Sequence, residues 1–367
     1  NKFAELEQTR NNIDNFLTSE VKNNPNYSTL VNELNSAKEA KKLVNKSSNK
    51  SEIENANENL KQALEKAKAA KSQADNLNKS IKDQLNSSIT NASQLLNKLS
   101  DSDQQIQSSK AALDAEIKKA KQAVASNNTA SMQSAKESLD AKVSQIDKQL
   151  QQFNKDKENK FAELEQTRNN IDNFLTPEVK NNPNYSTLVN ELNSAKEAKK
   201  LVNKSSNKSE IENANENLKQ ALEKAKAAKS QADNLNKSIK DQLNSSITNA
   251  SQLLNKLSDS DRQIQSSKAA LDAEIKKAKQ AVTSNNTASM QSAKESLDAK
   301  VSQIDKQLQQ FNKDKENKFA ELEQTRNNID NFLTSEVKNN PNYSTLVNEL
   351  NSAKEAKKLV NKSSNKS

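Results

Sequence analysis

Apolar residues along this chain recur at alternating three- and four-residue steps, the spacing that gives an α-helix one buried stripe. Leu30, Val31, Leu34, Ala37, Leu43 and Val44 predict a helix over about residues 27–46. A longer one follows over about 52–99, carried by Ile53, Ala56, Leu60, Leu64, Ala67, Leu77, Ile81, Leu85 and Leu96. Ser51 and Glu54 stand at its start in the capping-box spacing. The next helix covers about 103–125 through Ile106, Leu113, Ile117 and Val124, with Ser102 and Gln105 as a second capping-box pair. A fourth begins near Ala130, and its stripe runs on through Met132, Leu139, Ile146, Phe153, Phe161, Leu164 and Ile171 to about Leu175, with no Pro or Gly to stop it. The breaks fall at 18–26, 45–51, 100–102 and 126–129, short polar connections of the kind that join antiparallel neighbours.

The pattern repeats. The string that opens at Asn1 returns at Asn159 and Asn317, a period of 158 residues. The first two copies differ at three positions, Ser19 against Pro177, Gln104 against Arg262 and Ala125 against Thr283; the third copy occupies residues 317–367. A weaker repeat is nested inside the first. Leu34 to Leu64 can be laid on Ile117 to Val143 so that Ala37, Ala40, Ala56 and Leu60 meet Ala120, Ala123, Ala135 and Leu139. Each period therefore holds two related units of about eighty residues, enough for a three-helix bundle.

The helix that crosses the repeat border decides the predicted architecture. About 46 residues at 1.5 Å each give roughly 69 Å, more than one small bundle needs, so neighbouring bundles must share it. Dividing the long helices near Asp75 and Gln152 gives bundles at 1–74, 75–152, 153–232 and 233–310, and an incomplete one at 311–367 that lacks a third helix and is expected to fray. The predicted fold is all-α: tandem three-helix bundles joined end to end by long shared helices, an elongated spectrin-like rod. Phe3, Phe16, Tyr27, Phe153 and their copies all fall in or beside the bundles at the repeat junctions. Rings bury more area than Ala or Leu, so those bundles are expected to be the stiffer ones.

Composition narrows the function. The chain has no Gly, Cys, His or Trp and four Pro. Phosphate-cradling loops and oxyanion nests lean on Gly, and His and Cys are the usual base, soft ligand and nucleophile. No catalytic, cofactor-binding or metal-ligating residue is nominated, and an enzyme is not expected. Asp101-Ser102-Asp103 lacks the Gly and terminal Glu of a calcium loop and reads as a helix start. The net charge of +9 divides as +3, +4 and +2 over the three copies, with both signs interspersed, which argues against a nucleic-acid footprint. Lys118-Lys119-Ala120-Lys121 reads as a solvated helix face. Sequons at Asn45, Asn49, Asn78 and Asn127 are the chance product of a chain rich in Asn, Ser and Thr. No window approaches the 18 consecutive apolar residues of a membrane span. The chain opens at Asn1 in mid-pattern, so it is expected to be a piece of something longer, with any export signal or anchor outside it.

The run Asn26-Tyr27-Ser28-Thr29-Leu30, followed by Ala37, Ala40, Leu43 and Val44 and then by Ser51-Glu52-Ile53-Glu54-Asn55-Ala56, resembles the FIVAR-type module of bacterial wall and surface proteins. The long, nearly identical repeats, rich in Lys, Asn, Gln and Ser, resemble the tandem-repeat large membrane proteins of mycoplasmas. The resemblance implies a surface-exposed parent, anchored in the membrane through parts outside these residues and involved in adhesion or cell aggregation.

The leading functional expectation is a helical stalk, a monomeric rod that holds another part of its parent away from the cell. Its rival is a multivalent module that binds host extracellular matrix or other cell-surface proteins, with residues 45–51 as candidate surface. A third reading, an intracellular dimeric coiled coil, fits the long heptads but not the evenly spaced polar turns. Neither nucleic acid nor membrane insertion by these residues is expected.

Overall fold

The computed structural model describes residues 1–100, 103–258 and 261–367. These residues form α-helices and short 3₁₀ turns, with no strand among the described residues. In chain order the helices are α1 (Lys2–Phe16), α2 (Ser19–Asn23), α3 (Ser28–Ala40), α4 (Lys50–Ser100), α5 (Gln107–Ser126), α6 (Thr129–Phe174) and α7 (Pro177–Lys180). They continue as α8 (Ser186–Ala198), α9 (Lys208–Ser258), α10 (Gln265–Ser284), α11 (Thr287–Phe332), α12 (Ser335–Asn339) and α13 (Ser344–Lys357). The chain is all-α, as the period of its apolar residues predicts, and the helix across the first repeat border is unbroken over 46 residues.

Two compact units emerge. The first comprises residues 1–166 and 200–215 and contains two hydrophobic cores. In one, α1, α3 and the N-terminal part of α4 bury Leu6, Ile13, Leu34, Ala56, Leu60 and Leu64. In the other, the C-terminal part of α4 packs with α5 and α6 around Leu85, Leu99, Leu113, Met132, Leu139 and Ile146. The second unit comprises residues 167–199 and 216–367. There α9, α10 and α11 repeat the second core with Leu243, Leu257, Leu271, Met290, Leu297 and Ile304. The same unit buries Leu188, Val189 and Leu192 of α8. In the third copy the two-helix segment keeps α13, but Phe332, Tyr343 and Leu346 lie exposed.

Several local expectations are corrected. The helix predicted over 27–46 ends at Ala40, and Leu43, assigned to the buried stripe, is 82 % exposed. The cause is Arg10, whose Nη2 donates to the carbonyls of both Lys41 and Val44 at 2.8 Å. That fork pins the turn, leaving Val44 against the core and Leu43 in solvent. Leu77 is likewise 55 % exposed. It lies where α4 has left the first core, last touched at Ala70, and not yet entered the second, which begins at Ile81. The capping pair at the start of α4 is displaced by two residues: Asn49 precedes the helix and its amide donates to Glu52, while Ser51 lies inside the helix. Ser102 lies outside the described residues. The helix expected from 103 opens instead as a 3₁₀ turn, Gln104–Ile106, before α5. The connection at 18–26 holds α2 and a second 3₁₀ turn, Pro25–Tyr27, capped by Thr18 and Asn24. Phe153, assigned to a junction bundle, packs against the core of α4, α5 and α6, as Phe311 does against the core of α9, α10 and α11. The aromatic contrast between the two kinds of bundle is therefore smaller than the sequence suggests.

Candidate functional site

The polar groups that carry specific geometry cluster where helices end. With no Gly in the chain, the left-handed turn after α5 falls to Asn127, at φ 55°, and after α10 to Asn285, at φ 54°. Asn tolerates this region better than other side chains with a Cβ. The next residue, Asn128, accepts from the Ser131 N–H at 3.0 Å and starts α6. This turn docks on the chain one hundred residues earlier. The Asn26 side chain accepts from the Thr129 N–H at 2.9 Å and donates to the Asn127 carbonyl at 3.1 Å. Asn78 of α4 donates to the same carbonyl at 3.0 Å and to the Thr129 hydroxyl at 2.8 Å. Asn184 and Asn236 hold Asn285 and Thr287 in the same way in the second unit.

Beside Asn26, the Tyr27 hydroxyl donates to Asp75, and the Lys71 ammonium donates to the other carboxylate oxygen at 3.2 Å while lying 5.1 Å from the ring centroid. The Tyr27 bond holds the Asp75 carboxyl below its usual range, with Lys71 assisting against the opposing effect of burial. The same bond pushes the Tyr27 hydroxyl up, as burial does, and hydrogen bonding to Asp75 raises Lys71. Tyr185, Asp233 and Lys229 repeat the cluster; there burial is the largest cause of the raised Tyr185 value, followed by the bond to Asp233. Every member has a partner whose preferred protonation state it reinforces, which is the arrangement of a clasp and leaves no group poised to transfer a proton at neutral pH.

Of Asp101-Ser102-Asp103, the first two lie outside the described residues. Asp103 is 4 % exposed and accepts from the Gln105 N–H at 3.4 Å. Its other carboxylate oxygen accepts from the N–H of Lys208, the first residue of α9. Asp261 makes the corresponding bonds to Gln263 and Lys366. Residues 45–51 are stitched locally, Asn45 accepting from the Ser47 N–H at 2.8 Å and Ser48 from the Asn45 N–H at 3.1 Å. A groove of about 370 Å³ between α3 and α4 is lined by Leu30, Leu34, Ala63 and Ala67 and flanked by Glu33 and Lys66; it recurs between α8 and α9. Among the described residues no group of Asp and Glu is placed to hold a metal ion, and no helix is long and apolar enough to cross a membrane.

The hydrophobic pattern does not single out Arg10, Asn26, Asn78 or the reach of Asp103, because their partners lie 31 to 105 residues away. Periodicity reports only which face of a helix is apolar. The one available signal is the scarcity of Arg, of which the chain has four, three of them at equivalent positions Arg10, Arg168 and Arg326.

Three successive matches to one repeat family, the LMP repeated region, cover residues 1–90, 91–248 and 249–367. The middle match spans one full 158-residue period, in a phase that cuts within α4 and α9. Neither curated proteins nor solved structures gave a match. With the whole of its length matched, the chain belongs to the LMP repeated-region family.

Proposed function

We propose that these residues are a non-enzymatic spacer, a helical stalk within a bacterial surface protein that is anchored through other parts of its sequence. The observation that carries this reading is the continuity of α4 over 51 residues, from the core it shares with α1 and α3 into the core it shares with α5 and α6. α4 leaves the core at Ala70 and enters the next at Ile81 without a break, so consecutive bundles cannot part without bending a helix. The proposed bundle borders are 74/75, 152/153, 232/233 and 310/311, and the first and third bundles are proposed to be FIVAR-like. Small-angle scattering tests the reading. Bundles stacked end to end give a maximum dimension on the order of 150–180 Å at about 33 Å each. A radius of gyration near about 21 Å, the value for a compact chain of this length, would overturn it.

One observation favours a second reading, a multivalent module for adhesion to host matrix or cell-surface proteins. Leu43, Leu201 and Leu359 are each more than 80 % exposed on the turn that follows α3, α8 and α13, once per copy and followed by Lys46, Lys204 and Lys362. Three such turns on one chain would gain avidity on a surface that displays their partner densely. Binding of the chain to immobilised host matrix proteins, compared with a Leu43→Ser/Leu201→Ser/Leu359→Ser variant, tests it; equal binding by the two, or none by either, would remove it.

A further inference from the structure

We propose that Asp103, and Asp261 one copy later, is a positioning residue that latches each repeat copy to the next. The proposal rests on the spacer reading and says what stiffens it. A border crossed by a single helix is a flexible joint, because helices curve under modest load. A second attachment away from that helix turns the joint into a brace. Asp103 provides one: it sits on the connection between α4 and α5, while the helix that crosses the border is α6.

The chemistry is that of a helix cap supplied from a distance. The first-turn N–H groups of a helix have no acceptor within it and carry the positive end of its dipole. The Asp103 carboxylate meets the first of these, the Lys208 N–H, with one oxygen and keeps its own turn closed with the other through Gln105. At 4 % exposure it is shielded from the water and salt that would weaken a charged hydrogen bond. The Lys208 side chain joins the contact, its ammonium 5.4 Å from the Phe153 ring. The first copy supplies an internal control. Lys50 occupies the equivalent position in α4, and among the described residues no carboxylate meets its N–H; its side chain is 76 % exposed against 20 % for Lys208. The second unit shows the contact again, Asp261 accepting from Lys366, whose ammonium lies 5.5 Å from Phe311.

Amide hydrogen exchange on the full chain tests the latch. Residues 45–54 and 203–212 are identical in sequence, so Ser47→Ala serves as a mass tag for the first copy. The Lys208 amide is expected to exchange more slowly than the Lys50 amide by on the order of tenfold or more, the strength of a hydrogen bond to a charged acceptor. Asp103→Ser keeps a good cap for its own turn but is too short to reach Lys208. It should bring Lys208 to the Lys50 rate and leave the amides of α5 unchanged, while Asp261→Ser should leave Lys208 slow. Equal exchange of the two lysines in the unsubstituted chain, or slow exchange of Lys208 in Asp103→Ser, overturns the proposal. The outcomes are separable from those of the scattering test: a compact chain with a protected Lys208 would refute the spacer and keep the latch, and an extended chain with equal rates would do the reverse.

Discussion

Replacing Arg10, Arg168 and Arg326 together by Met should lower the stability of the bundles that contain them by about 2 kcal/mol each. The estimate follows from the contacts. Arg10 Nη2 reaches two carbonyls at 2.8 Å beyond the last turn of α3, and Nη1 reaches Glu7 at 2.7 Å. Arg326 repeats the fork at Lys357 and Val360, and Arg168 contacts Lys199 at 2.9 Å. A charged donor to a carbonyl contributes roughly 1.5–3 kcal/mol. The lower part of that range applies here, because the Arg10 side chain is 22 % exposed and water can replace part of the bond once it is lost. The surface pair with Glu7 adds at most about 1 kcal/mol. Met keeps the apolar stem and removes only the guanidinium. For a bundle of about eighty residues, 1 kcal/mol moves the melting temperature by roughly 4–8 °C, so the transition of these bundles should fall by on the order of 10 °C in calorimetry. Substituting all three copies matters, since near-identical bundles would otherwise hide one shifted transition among the rest. The Lys triple variant keeps the charge near the helix end but cannot fork, and should recover about half of the loss. A shift below about 2 °C for Met, or equal melting for Lys and Arg, would refute the account of how α3 ends.

Leu139→Ala with Leu297→Ala empties a fully buried site in the second kind of core and should cost about 2–5 kcal/mol per bundle, read as a lower urea midpoint at unchanged slope. The Tyr27–Asp75–Lys71 clasp gives a pH dependence with two ends. The Asp75 value is lowered in the fold, so its contribution is complete above about 3.9 and is lost as pH falls through the folded value. The Tyr27 and Lys71 values are raised, so theirs is complete below about 10 and is lost as pH rises beyond it. Thermal melts across pH should show both losses reduced in a Tyr27→Phe/Tyr185→Phe variant; profiles parallel to the unsubstituted chain would count against the clasp. Asn127→Gly with Asn285→Gly should leave stability within a few tenths of a kcal/mol, whereas Ala at both should cost about 1 kcal/mol per site by denaturant unfolding.

The helices and their continuity were legible because burial and periodicity are local properties. Leu85, Leu113, Leu139 and Ile146 sit at zero to a few per cent exposure where the stripe puts them, and α6 runs through the repeat border as the absence of Pro and Gly requires. Two of the failures fall where an end is set by a distant partner. Leu43 satisfies the helical period, yet the turn at Lys41–Val44 is decided by Arg10 on another helix. Leu77 also satisfies it, and is exposed because a stripe marks which face is apolar without saying whether anything packs there. Asp103 was readable as a helix start; its second bond, to a residue 105 positions on, was not.

The misread helix ends share a cause that bears on the proposed role. A chain with Gly ends its helices locally, through a left-handed residue that needs no partner. Here Asn127 and Asn285 take that left-handed place after α5 and α10, and Arg10, Asn26, Asn78 and Asp103 add polar side chains that reach helix ends distant in sequence. Each such cap satisfies an orphan backbone group and at the same time ties two segments distant in sequence. At Asn26, Asn78 and Asp103, helix capping and the tying of segments distant in sequence are therefore one set of bonds. It follows that replacing a capping residue here should loosen a joint as well as fray a helix, a coupling that a glycine-capped stalk of the same helices would lack.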